Sequence, residues 1–216
     1  MAETVKWDGD MTADESALLL RELNHRLGNS FQTVLSILSL QAAQLKDAKR
    51  ARVLLRAVDR VRAIAFVHSP RHASPAHDQI EFGNCLQQIV TELSFSHSFP
   101  SSIDLRIDAA DIVVAVETAE PLALLASELV SNAFEHAFQG RVTGQVRVVL
   151  RYTDSTCNWL ELQVSDDGVG IPSSVQFETE QSFGFFLARV MATQMKGTVQ
   201  IDRDHGTAFR VVIPLE

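Results

Sequence analysis

Apolar residues near the start of the chain recur at helical spacing. Leu20, Leu23, Leu27, Phe31, Val34, Leu38 and Leu45 fall three, four or seven residues apart. That spacing draws one stripe along a helix of about 30 residues beginning near Asp14. Lys46-Asp47-Ala48-Lys49 reads as a turn, and Ala51, Leu54, Val58, Val61 and Ala65 draw a second stripe that ends before Pro70. Two stripes joined by a short polar break predict an antiparallel helical hairpin. Such a hairpin cannot enclose a core alone, and pairing with a second copy as a four-helix bundle is the simplest solution.

The pattern then changes. The segment "SPRHASPAHD" has two prolines, two histidines and no period, so it reads as a linker. Beyond it the spacing predicts a helix over 81–95 and short strands near 103–107 and 112–116. A helix over 120–138 follows, with Pro121 in its first turn. Residues 145–152 and 159–165 alternate as adjacent strands. A helix over 184–196 stops at Gly197, and 199–203 with 207–213 close the chain as a hairpin turning at His205-Gly206. Helices and strands without regular alternation predict one sheet with helices packed on one face. The organisation is therefore a tail over 1–13, an all-α hairpin over 14–68, a linker over 69–79 and an α/β domain over 80–216.

Composition narrows the classes. The chain has 216 residues, is 46% hydrophobic and carries a formal charge of −8, a balance that argues against a nucleic-acid partner. Basic residues do gather between Lys46 and Arg62, but Asp47 and Asp59 interrupt them, and a solvated helix surface accounts for them. The two cysteines have no metal or redox spacing. No apolar run of about 18 residues is long enough for a membrane span, and no leader-like start is present. The expected location is the cytoplasm.

Several residues could carry chemistry. At 100° per residue, His25 lies about 140° from the Leu20 stripe, so it should face outward; on this segment alone a solvated polar face is the favoured account of it. Glu128, Asn132 and His136 stand four apart in "ASELVSNAFEHAF", one row of a helix. A carboxylate and an amide so spaced could hold a hydrated Mg²⁺ near phosphates, or form an ordinary polar edge. Asp166, Gly168 and Gly170 in "VSDDGVGIP" follow a strand directly and could meet an adenine, or make an Asp-Gly turn. Gly184 sits where a loop enters a helix, a place where backbone N–H groups can hold phosphate oxygens. The apolar-poor stretch from Pro172 to Gln181 could be a lid. Thr207 follows Gly206 before the last strand.

The order of "HRLGN", "ELVSNAFEHAF", "DDGVG", "SFGFFLARVMATQMKG" and "GTAFRVVIP" resembles two-component sensor histidine kinases. It is most similar to the subgroup with Arg after the phosphorylated histidine and a short ATP lid. The resemblance spans about residues 14–216. It implies a dimerising hairpin followed by a GHKL-type ATPase domain, an α/β sandwich with a mixed sheet, with ATP and Mg²⁺ as cofactors. It also implies that His25 is the phosphoacceptor and that Glu128 assists at the metal or orients the acceptor. Asn132 would coordinate Mg²⁺, with His136 beside it. Asp166 would bind adenine, with Gly168 and Gly170 shaping that wall. Gly184 would support the phosphates, and Thr207 would line the adenine side. The implied partners are a response regulator receiver domain, a second copy of the chain and a separate sensor protein, since no sensor domain fits in the first 13 residues.

Three departures stand out. Gly28 replaces a Lys common two or three residues after the acceptor, Glu135 replaces a Lys common before the last histidine of the metal-binding helix, and Phe185 with Phe186 crowds a usually glycine-rich turn. The leading expectation is a histidine kinase. A histidine phosphotransfer protein that makes little use of ATP is the second, and a non-phosphorylating ATPase-fold binding module the third.

Overall fold

The computed structural model of the chain describes residues 13–69, 79–97, 102–172, 175, 177, 179 and 182–215, with side chains in the first helix from Arg26 onward. Residues 1–12 of the expected tail over 1–13, most of the expected linker (70–78), most of the expected lid over 172–181 and the side chains of Leu20, Leu23 and His25 lie outside the described residues, while the last tail position, Ala13, is already helical.

Helix α1 spans Ala13–Gln44 and α2 spans Ala48–Val67. The turn between them is shorter than the sequence suggests. Asp47 caps α2, its Oδ1 accepting from the backbone N–H of Lys49 at 2.9 Å and Arg50 at 3.3 Å, so Ala48 and Lys49 are already helical. Leu35, Ala42, Val58 and Ala65 are buried between the two helices, with Phe31, Leu38 and Val61 packed beside them. Leu27, Val34 and Leu45 of the expected stripe are exposed instead, as are Ile37 and Leu40. The apolar arc of α1 is wider than one partner helix can cover.

Strand β1 (Gln79–Glu81) starts at the residue expected to end the linker, and α3 spans Phe82–Ser96. Strands β2 (Ile103–Ala109) and β3 (Val113–Ala115) precede α4 (Val116–Asn132), which runs on through a π-helical turn at Ala133–Ala137. Strands β4 (Gly144–Tyr152) and β5 (Trp159–Asp166) follow, then α5 (Phe183–Gln194) and the hairpin of β6 (Thr198–Asp202) and β7 (Thr207–Pro214). Helix α4 begins four residues before the expected Glu120. Pro121 therefore sits inside it rather than in its first turn, at the cost of one ladder hydrogen bond.

The main sheet has order β2-β4-β5-β7-β6, with β2 parallel to β4 and all other pairs antiparallel; β1 and β3 form a separate two-stranded ribbon. Alternation divides the faces. Val148, Leu150, Leu160, Leu162, Val164, Phe209, Val211 and Ile213 meet buried residues of α3, α4 and α5, among them Leu86, Ile89, Leu93, Leu122, Leu125, Leu129 and Ala188. The opposite face is polar. There the buried carboxylate of Glu161 is held by Arg151 at 2.7 Å and by Arg210. Ala63 and Val67 of α2 join the same core, which docks the hairpin directly on α3 and α4.

Candidate active site

A cavity of about 780 Å³ opens between α2, α4, α5 and the ends of β5 and β7. Glu128, Asn132 and His136 line it from α4 and its π turn, Asp166 from the last position of β5, Gly170 from the loop beyond, Gly184 from the start of α5 and Thr207 from the start of β7. Five separate elements thus bring these seven expected residues to one place. Gly168 stands just behind the wall. A Cβ at Gly168 would run into the backbone of Ala137, so only glycine lets this loop lie against the π turn. The lower wall is apolar, from Ile171, Phe185 and Phe209.

Asp166 is held by its surroundings. Its Oδ1 accepts from the backbone N–H of Gly168 at 2.9 Å. Burial pushes its pKa above the ordinary aspartate value, against the opposing pull of the Gly168 and Thr207 amides. A carboxylate fixed against an apolar wall suits one hydrogen-bond donor on a flat ring.

Glu128 and Asn132 are one helical turn apart and share a row. The helix there passes into the π turn, which carries His136 at the cavity edge with its side chain 60% exposed. Partial desolvation of its ring lowers the His136 pKa, against the opposing pull of Glu135. Gly184 approaches closely enough that a Cβ there would stand 2.8 Å from Glu128 Oε2. The start of α5 is pressed against the acidic row.

The largest departure from expectation is on α2. Lys49, Arg52, Arg56 and Arg60, read from the sequence as solvated, line the cavity. Arg60 Nε donates to Glu128 Oε1 at 2.5 Å and its Nη2 to Oε2 at 3.2 Å. Arg56 donates from Nε and Nη2 to the two carboxylate oxygens of Glu135 at 2.8 and 3.0 Å, and from Nη2 to Asn132 Oδ1 at 3.0 Å. Lys49, Arg52, Arg56 and Arg60 fall at spacings of three and four, which puts them on one helix face; the sequence shows that stripe but not what it meets.

A family model described as "Histidine kinase" matches residues 22–97, and one described as "Histidine kinase-, DNA gyrase B-, and HSP90-like ATPase" matches residues 117–216. The chain is homologous to sensor histidine kinases in both its helical region and its ATPase-type domain. The sensor histidine kinase PdtaS of Mycobacterium tuberculosis is 29% identical over 199 residues, 91% of this chain and 39% of that protein. Blue-light-activated histidine kinase 2 of Erythrobacter litoralis is 28% identical over 91% of this chain and 57% of its own length. The chain therefore spans about two fifths to three fifths of these curated relatives. Among solved structures, the histidine kinase domain of an Erythrobacter litoralis blue-light activated histidine kinase superposes with a TM-score of 0.68 at 27% identity, covering 91% of this chain and 90% of that one. The helical region followed by a mixed-sheet ATPase domain is the fold of these relatives.

An ATPase-type domain implies ATP, and the cavity fits it: one carboxylate against apolar walls at one end, glycine backbone and basic side chains at the other. Glu128 and Asn132 supply the hard oxygen donors that suit Mg²⁺. In this arrangement they do not fit the metal, because Glu128 bonds Arg60 and Asn132 Oδ1 bonds Arg56. Among the described residues no helix is long and apolar enough to cross a membrane.

Proposed function

We propose that this chain is a protein-histidine kinase module that transfers the γ-phosphoryl group of ATP to His25 and passes it on to an aspartate of a response regulator receiver domain. The observation that carries this reading is the convergence of Glu128, Asn132, Asp166, Gly170, Gly184 and Thr207 on one cavity, in a chain whose α1 carries His25. Asp166 would accept from the adenine amino group, Thr207 and Gly170 would shape that end, and backbone at Gly184 would meet the phosphates. His25 would attack the γ-phosphorus through its unprotonated ring nitrogen. The bond to the β–γ bridging oxygen breaks and ADP leaves. The protein's part is mainly positioning. Glu128 and Asn132 are the proposed Mg²⁺ ligands in a conformation free of Arg56 and Arg60, where the ion would offset phosphate charge.

The exposed Leu27, Val34, Ile37 and Leu40 support dimerisation through the hairpin, with α1 and α2 completing a four-helix bundle. A separate sensor protein as input belongs to the same proposal. One observation favours the second reading, a phosphotransfer protein: two arginines already hold the proposed metal ligands. Incubation of the full chain with γ-labelled ATP and Mg²⁺ separates the two. Label that is acid-labile, base-stable and chased onto a receiver aspartate marks the kinase. Label accepted only from a phosphorylated receiver domain marks the relay.

A further inference from the structure

Two facing rows meet where α2 crosses α4. Arg56 and Arg60 are one helical turn apart on α2; Glu128, Asn132 and Glu135 stand at spacings of four and three on the other side. Every guanidinium nitrogen of Arg56 has an acidic or amide oxygen beside it, including Nη1 at 3.6 Å from Glu128 Oε2. Glu128 is 1% exposed, and the side chains of Arg56 and Arg60 are 14% and 20% exposed, so this contact is largely shielded from water and salt.

Taking the cavity as the nucleotide site of the reading above, we propose that Arg56 and Arg60 compete with Mg²⁺ for Glu128 and Asn132, so that docking of α2 and loading of metal-nucleotide exclude each other. Three features carry this. The atoms are the same: the Asn132 Oδ1 and the Glu128 carboxylate that a cation would use already accept from guanidinium groups. The charge is the same: two guanidinium cations beside Glu128 repel a dication at short range in a poorly screened place. The latch also reaches further. The Arg60 guanidinium lies 4.5 Å over the ring of Phe183 at the start of α5, and the neighbouring Asp59 bonds His97 at 2.9 Å at the end of α3. Helix α2 is thereby tied to α5 at the cavity and to the end of α3 outside it. Linkage is reciprocal: whatever draws α2 away raises metal-nucleotide affinity, and metal-nucleotide draws α2 away to the same degree. Glu135 finds its place here too, as the carboxylate that seats Arg56.

The test measures binding rather than turnover. Affinity for a fluorescent ATP analogue is titrated with Mg²⁺ and with EDTA, in the wild-type chain and in Arg56→Gln/Arg60→Gln. The wild type is expected to gain little from Mg²⁺, whereas the variant gains about ten-fold, a typical coupling between linked sites. Weaker binding by the variant with or without metal would make the arginines phosphate ligands and overturn the proposal, as would an unchanged dependence on Mg²⁺. Binding by neither protein would overturn the reading of the cavity itself. A second measurement leaves the arginines in place: spin labels at Leu55→Cys and Gln194→Cys, with Cys157→Ser, should separate when Mg²⁺ and the ATP analogue are added together. A fixed distance contradicts the competition.

Discussion

Arg60 of α2 holds Glu128 of α4 through two hydrogen bonds, Nε to Oε1 at 2.5 Å and Nη2 to Oε2 at 3.2 Å. The carboxylate is almost fully buried, so its stability depends on its partner. Arg60→Met is expected to cost about 2–4 kcal/mol, less than a fully orphaned buried charge because Arg56 remains nearby. Adding Glu128→Gln should recover part of that loss, giving a coupling of about 1–3 kcal/mol in a double-mutant cycle. Urea denaturation of the four proteins measures it, and additive losses would show that the pair is not coupled.

The raised pKa of Asp166 gives a prediction with opposite signs for stability and binding. The folded chain holds this proton more tightly than the unfolded chain. Its contribution to stability is therefore full below the ordinary aspartate pKa and is lost as pH rises through the folded value. Asp166→Asn, which cannot ionise, should match or exceed the wild type in stability near neutral pH. Adenine recognition needs the ionised oxygen, so the variant should lose about 1–3 kcal/mol of nucleotide affinity. Wild-type affinity should fall on acidification at a pH above that of an ordinary aspartate, about 3.9. Calorimetric titration across pH in both proteins checks this; a variant that binds as well as wild type removes Asp166 from the site.

At Gly28 a Cβ would meet nothing within 4 Å. Gly28→Ala should therefore stabilise the chain by about 1 kcal/mol through helix propensity, read as a higher Tm. If receiver docking requires the bare backbone at this position, phosphotransfer falls while stability rises. An unchanged transfer rate would assign Gly28 no role in docking.

Gly168 is the contrary case. Its Cβ would enter the backbone of Ala137, so Gly168→Ala should cost about 1–3 kcal/mol and distort the Asp166 wall. Denaturation combined with nucleotide binding should show both losses together.

The sheet and its helices were legible because alternation and helical spacing are local. Leu160, Leu162 and Val164 face inward as their period predicts, and Leu122, Leu125 and Leu129 stack as theirs does. The start of α4 was not legible, since Pro121 mimics a first-turn proline while the helix begins at Val116. The π turn at Ala133–Ala137, which carries His136 at the cavity edge, was equally hidden. Among the site residues, Asp166 and Gly184 announced themselves by their place at element ends. Arg56 and Arg60 did not, because a basic stripe on an amphipathic helix looks the same facing water as facing a carboxylate. Only the docking of α2 on α4 distinguishes the two, and that is a long-range relationship. The exposure of Leu27 and Val34 arises similarly, from an apolar arc sized for more than one neighbour.

The central claim is that this cavity phosphorylates His25. Its most direct measurement is the time course of acid-labile, base-stable label from γ-labelled ATP in the wild-type chain, His25→Gln and Asp166→Asn, each verified as folded by circular dichroism. The account predicts label in the wild type, none in His25→Gln, and a slowed course in Asp166→Asn that rises with ATP concentration. Label persisting undiminished in His25→Gln, or no label in a wild type that binds nucleotide with Mg²⁺, would contradict it.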